Sequence, residues 1–143
     1  MCESEEINLR SELSAALVSE GLSPNEIEDK ERVIFLIEKR FISGTPRAWW
    51  LSLVSKPEVY SFPDNSGYQN LLEIFPAGND KVWFVVDDDN KEKFVFFIPL
   101  NKVQDIIESC RFFEYYVVDE NISWMLAEND HGEILVCRGG VYS

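Results

Sequence analysis

Histidine, cysteine and positive charge are the scarce commodities of this chain: one His, three Cys and 13 Lys or Arg in 143 residues. The single imidazole, His131, leaves no partner for a His-Glu-x-x-His spacing, so a zinc centre of that type is excluded. Cys2, Cys110 and Cys137 lie far apart and form no Cys-x-x-Cys pair. Two of them fall on apolar faces of predicted elements, as buried thiols do, which points to a reducing cytoplasm. No Gly-x-Ser-x-Gly elbow is present, and no Gly-x-Gly-x-x-Gly or Gly-x-x-x-x-Gly-Lys-Ser/Thr loop, so neither a hydrolase nucleophile nor a nucleotide cradle is indicated. No apolar run approaches 18 residues, and the opening Met-Cys-Glu-Ser-Glu-Glu is acidic where a signal peptide would be basic and then apolar. A cytoplasmic protein is the expectation.

Acids outnumber bases 26 to 13, for a formal charge of -13. Such a surface repels phosphate backbones and anionic lipid headgroups, which argues against nucleic acid and membranes as partners. It would instead steer a basic protein toward this one. The charge is uneven. Residues 1–31 hold nine acids and two bases, residues 32–60 two acids and five bases, and residues 61–143 fifteen acids and six bases. Length and a 45% hydrophobic content suit one domain, residues 1–143, with a core of useful size.

Leu9, Leu13, Ala16 and Leu17 recur at helical spacing and Gly21 supplies a stop, so residues 4–20 are expected to form a first helix. Ser23-Pro24-Asn25-Glu26 has the form of an N-cap followed by proline and a capping glutamate, and predicts the start of a second. That helix would carry Ile27, Ile34, Ile37 and Phe41 on one face and end at Gly44, although Val33-Ile34-Phe35-Leu36-Ile37 also suits a buried strand. Thr45-Pro46-Arg47 repeats the cap-then-proline signal ahead of Trp49 and Trp50, before Pro57 interrupts. Residues 66–75 read as a short helix. Beyond them the period becomes that of strands: residues 82–86 and 94–98 as a hairpin, then residues 112–118, 122–127 and 133–137, with a helix capped by Asn101 between. The sum is an α+β domain, a helical N-terminal half packed on a largely antiparallel sheet of about five strands.

Chemistry-bearing residues cluster in the last third. Glu128, Asp130 and His131 place two carboxylates and an imidazole at the end of a strand, with Glu114 on the neighbouring one. Such a set could hold a divalent metal, or let His131 act as a base. Asn, Asp, His and Gly are equally what a tight hairpin requires. Asp87-Asp88-Asp89 departs from a calcium loop, since Lys91 and Glu92 stand where a ligand and the glycine belong. Trp83 and Trp124 read as core, while Trp49 and Trp50, close to Arg40 and Arg47 in the only basic segment, could form a patch for an acidic or aromatic ligand.

The run Phe113-Glu114-Tyr115-Tyr116, then Trp124, then Glu128-Asn129-Asp130-His131 resembles a family of small bacterial domains of unknown function. Their closing motif reads Glu-Tyr-Tyr, a tryptophan, then Glu-Asn-His-His. Here Asp130 stands at the first histidine, which removes one imidazole from the pair. Small acidic proteins of this sort are reminiscent of immunity proteins, and the resemblance implies an inhibitor of a secreted toxin. The expectation is therefore a non-enzymatic bacterial binding protein that needs no cofactor or metal and faces a basic protein partner. Its binding residues would be Glu114, Tyr116, Glu128, Asp130 and His131, with Asp87, Asp88 and Asp89 as steering charges. The alternative is a metal- or small-ligand-binding module or an enzyme using Glu128 and His131.

Overall fold

The computed structural model describes residues 9–44, 49–54, 56–62, 67–74, 81–87, 93–110, 114–129 and 132–138. They form three layers, with a sheet at the centre and helices on both faces. Helix α1 (Leu9–Ser19) turns Leu13, Ala16 and Leu17 inward. It closes as its sequence requires: Gly21 takes φ 78°, and Leu22 N–H donates to the Leu17 carbonyl at 2.8 Å while Gly21 N–H donates to that of Val18 at 2.9 Å. Helix α2 (Lys30–Phe41) resolves the run at residues 33–37. As a strand it would put Val33, Phe35 and Ile37 on one face; as a helix it buries Val33, Ile37 and Phe41 and leaves Phe35 59% exposed.

The sheet has six strands, one more than the sequence indicated, in the order β1-β6-β5-β4-β2-β3 and antiparallel throughout. They are β1 (Glu58–Ser61), β2 (Lys81–Asp87), β3 (Lys93–Pro99), β4 (Glu114–Asp119), β5 (Trp124–Glu128) and β6 (Glu133–Arg138). The extra strand, β1, starts just after Pro57 and pairs Val59 with Leu135. Proline is tolerated there because it precedes the first paired residue of an edge strand. Between β1 and β2 a 3-10 turn (Gly67–Asn70) runs into a single α-helical turn, α3 (Leu71–Ile74), over the span expected as a short helix; residues 66 and 75 lie outside the described residues. Asn101 caps nothing: it sits inside a 3-10 turn (Leu100–Lys102) that leads into α4 (Val103–Ser109).

The helical N-terminal half packs on the antiparallel sheet as the sequence indicated, with its helices divided between the two faces. Helices α1 and α4, with Leu71 of α3, cover the face bearing Phe84, Phe96, Val117, Leu126 and Val136. Helix α2 and Trp49 cover the other, with Val85, Val95, Tyr116, Met125 and Cys137. Burial on both faces explains why the strands read as unbroken apolar runs. No helix among the described residues is long and apolar enough to cross a membrane.

Passing from α1 to α2, the chain rounds the open edge of β3, and this crossing accounts for the absence of a helix at Ser23. Glu26, suited by sequence to reach back to a cap, accepts instead from Val95 N–H at 3.1 Å, while Ile27 N–H donates to the Val95 carbonyl at 3.0 Å. Lys30 Nζ donates to the Lys93 carbonyl at 2.9 Å. The edge is thereby paired at Val95 and the Lys93 carbonyl, which blocks it there to other strands. The Glu26 carboxylate also holds Arg10 of α1 at 2.9 Å and Lys30 of α2 at 3.0 Å. Burial pushes its pKa up, but the bonds from Lys30, Val95 and Arg10 outweigh burial and hold it below the ordinary 4.5. Its contribution is therefore present above that ordinary value and is lost as pH falls through the lowered one. Glu26→Gln should cost about 1.5–3 kcal/mol at neutral pH in urea denaturation, the worth of hydrogen bonds to a charged group, and the difference from wild type should shrink on acidification below about pH 4.

Candidate functional site

Among the described residues singled out by the sequence, Glu128 lies on the opposite face of the sheet from Glu114 and Tyr116. Glu128 ends β5 on the α1–α4 face, 4% exposed, and accepts from the Tyr115 hydroxyl at 2.8 Å. Its other oxygen, Oε2, is buried with no hydrogen-bond partner among the described residues. Tyr116 is fully buried on the opposite face. Its hydroxyl accepts from Trp49 N–H at 3.0 Å, and the two rings lie 4.9 Å apart. Burial, then the charges of Asp87 and Glu114, push the Tyr116 phenol up, so it stays protonated and structural. Glu114, half-buried, lies beside Asp87 across β4 and β2. Asp130, His131, Asp88, Asp89 and Arg47 lie outside the described residues.

The acidic turn is closed by its neighbours. Asn129 N–H donates to the Glu133 carbonyl at 3.0 Å, Glu133 N–H to Asn129 Oδ1 at 2.9 Å, and Asn129 Nδ2 to Glu133 Oε1 at 2.9 Å. Gly132 at φ 79° completes it. The thiols offer little chemistry: burial pushes both Cys110 and Cys137 up to about 11, leaving them protonated at neutral pH. Trp49 is equally committed, its indole N–H donating to Glu38 Oε2 at 3.1 Å.

A different site emerges between α2 and the turn joining β4 to β5. Asp119, 2% exposed, ends β4 and organises that turn: its carboxylate accepts from Ser123 N–H and Oγ, and from Trp124 N–H at 3.1 Å. The turn forces Ile122, which the sequence assigned to a strand, to φ 57°. For a β-branched residue this left-handed conformation is costly, and glycine would be the relaxed choice.

Two neighbouring cavities, about 640 and 580 Å³, open along this turn and share Leu36, Asn121 and Ile122. The larger has an aromatic floor, Trp83 of β2 against Phe97 of β3 with ring centroids 4.3 Å apart, and apolar walls from Ile27, Leu36 and Ile122. The Trp83 indole N–H donates to the Glu120 carbonyl at 3.3 Å, tying floor to turn. Glu28, Asp29 and Glu120 line it at exposed positions, with Arg32 the only cation among the described lining residues. None of the three carboxylates has an ion-pair partner among the described residues. The smaller cavity is lined by Leu36, Val54 and Ile122 together with Lys39, Arg40 and Asn121.

The fold is an α+β domain with an antiparallel sheet between helices. The chain is a member of a family of unknown function (DUF6756), which matches residues 5–142. No curated protein and no solved structure matches it.

Sequence reading missed the cleft because its parts come from the crossing loop, α2, two strands and a turn. The available signal was small: Trp83, assigned to the core, is half-buried against Phe97 at the cleft floor. Burial raises Glu128 above its ordinary 4.5, with the Tyr115 hydrogen bond opposing. Folding then takes up a proton between the unfolded and folded pKa, and stability falls as pH rises through that interval. Glu128→Gln should remove this slope and match or exceed wild-type stability at pH 7, while losing any advantage below about pH 4, as read by urea midpoints across pH.

Proposed function

We propose that this chain is a non-catalytic bacterial binding protein of the immunity or antitoxin type, acting in the cytoplasm on a basic protein partner. The observation that carries this reading is the acid-rimmed cavity. Glu28, Asp29 and Glu120 stand unpaired among the described residues around the Trp83–Phe97 floor. An aromatic face attracts an ammonium or guanidinium, by about 0.5–1 kcal/mol at exposed sites and about 2 kcal/mol once desolvated. Carboxylates at the mouth supply the charge-assisted hydrogen bonds that orient it. A chain of charge -13 adds a long-range field of the same sign, which speeds encounter with a basic protein and is screened by salt. Free thiols at Cys110 and Cys137 suit a reducing compartment.

The reading rests on the cleft, since Asp130 and His131 of the acidic turn lie outside the described residues. Glu128 and Tyr116 are buried and engaged in packing, whereas the cleft carboxylates are exposed and uncommitted. Glu28→Lys with Glu120→Lys should leave thermal stability close to wild type and slow association with the basic partner about tenfold at low salt, the difference narrowing as salt is raised. Paired affinity capture with both proteins, followed by surface-based kinetics on the retained species, measures this. A basic partner with an association rate indifferent to both substitutions overturns the reading.

A further inference from the structure

The second cavity extends the first with the opposite charge. In a chain short of cations, Lys39 and Arg40 both line one apolar hollow. Lys39 has no ion-pair partner among the described residues, and its ammonium lies 5.8 Å from the ring of the exposed Phe35. Asn121 adds an amide, and Leu36, Val54 and Ile122 supply a wall for an aliphatic group. Two cations and an amide beside three aliphatic side chains suit a carboxylate that carries an apolar substituent. The two cavities share the lining residues Leu36, Asn121 and Ile122. The charges of their linings suit one extended occupant, with a positive group toward Glu28, Asp29 and Glu120 and a negative one toward Lys39 and Arg40.

We infer that the cleft receives the C-terminal tail of the partner: the last side chain, aliphatic, enters the smaller cavity with its carboxylate directed to Lys39, Arg40 and Asn121, and a basic side chain a few residues earlier enters the acid-rimmed one. The inference rests on the reading of the cleft as the partner site and deepens it by naming the segment recognised. Ile122 fits this role. Its left-handed backbone at φ 57° is a strained choice, and its side chain stands where the two cavities meet. Glycine would relieve the strain and remove that dividing wall.

The test uses N-acetylated, fluorescein-labelled hexapeptides ending in leucine, with arginine two, three or four residues before the end, each made as the free acid and as the C-terminal amide. Fluorescence anisotropy on the full chain should find an acid peptide that binds at least tenfold more tightly than its amide. Lys39→Glu should abolish that difference, Glu120→Lys should weaken acid and amide forms alike, and Ile122→Gly should lose affinity. Equal binding of acid and amide overturns the inference, as does an acid peptide indifferent to Lys39→Glu, or sodium octanoate displacing the peptide as effectively as unlabelled peptide does. Amide peptides that bind and are lost in Glu120→Lys leave the basic-partner reading standing while this one falls. Failure of every peptide overturns the tail inference, and the fate of the broader reading then follows separately from the salt-dependent kinetics of the captured partner.

Discussion

The Glu26 carboxylate is the joint on which the architecture depends. Chain connectivity requires the segment after α1 to leave one face of the sheet and deliver α2 to the other, and the route runs past the unpaired edge of β3. Glu26 meets that demand by binding Arg10 from α1, Lys30 from α2 and the Val95 amide of the edge strand together. A charged group that accepts several hydrogen bonds at a partly buried site is worth more than any exposed pair. The result is a sheet covered on both sides and a blocked edge, and the same crossing loop presents Ile27, Glu28 and Asp29 at the mouth of the cleft.

A second constraint acts beside α2. Asp119 spends its carboxylate on the backbone and hydroxyl of the β4–β5 turn, which holds Glu120, Asn121 and Ile122 facing α2. A polar group this deeply buried has to be satisfied, and satisfying it locally makes the turn rigid. The cleft is thus bounded by two elements whose geometry is set by hydrogen bonding, with the Trp83–Phe97 pair as its floor. Preorganised charge of this kind lowers the ordering cost of binding. The strained Ile122 belongs to that preorganisation, held in place because its side chain also packs against the core around α2.

The described residues of the acidic turn that stands out in the primary structure have structural partners. Glu128, Asn129 and Gly132 are indeed unusual together, but Asn129 and Gly132 serve to close the hairpin, and Glu128 is drawn inward by its strand parity to meet Tyr115. Tyr115 and Tyr116, adjacent in the chain, serve opposite layers because successive residues of a strand point to opposite faces. One tyrosine supports the buried carboxylate, and the other anchors the Trp49 segment.

Local pattern alone determined the strands of the two hairpins, α1 with its glycine stop, α4, the α+β class and the acidic character, because periodicity and turn chemistry are encoded within a few residues. It also contained the helix at residues 30–41, though not a choice between helix and strand, which rests on Phe35 having solvent rather than a second sheet beside it. Only the tertiary structure decided the remainder. The capping signal at Ser23 lost to the β3 edge, because Glu26 gains more hydrogen bonds there than a helix start would offer. The edge strand β1 acquired its identity from β6, since a four-residue segment has no register of its own. The cleft exists because packing on both sheet faces brings loop, helix, strands and turn to one place, and a site assembled from residues so distant in the chain leaves no spacing for a sequence to display.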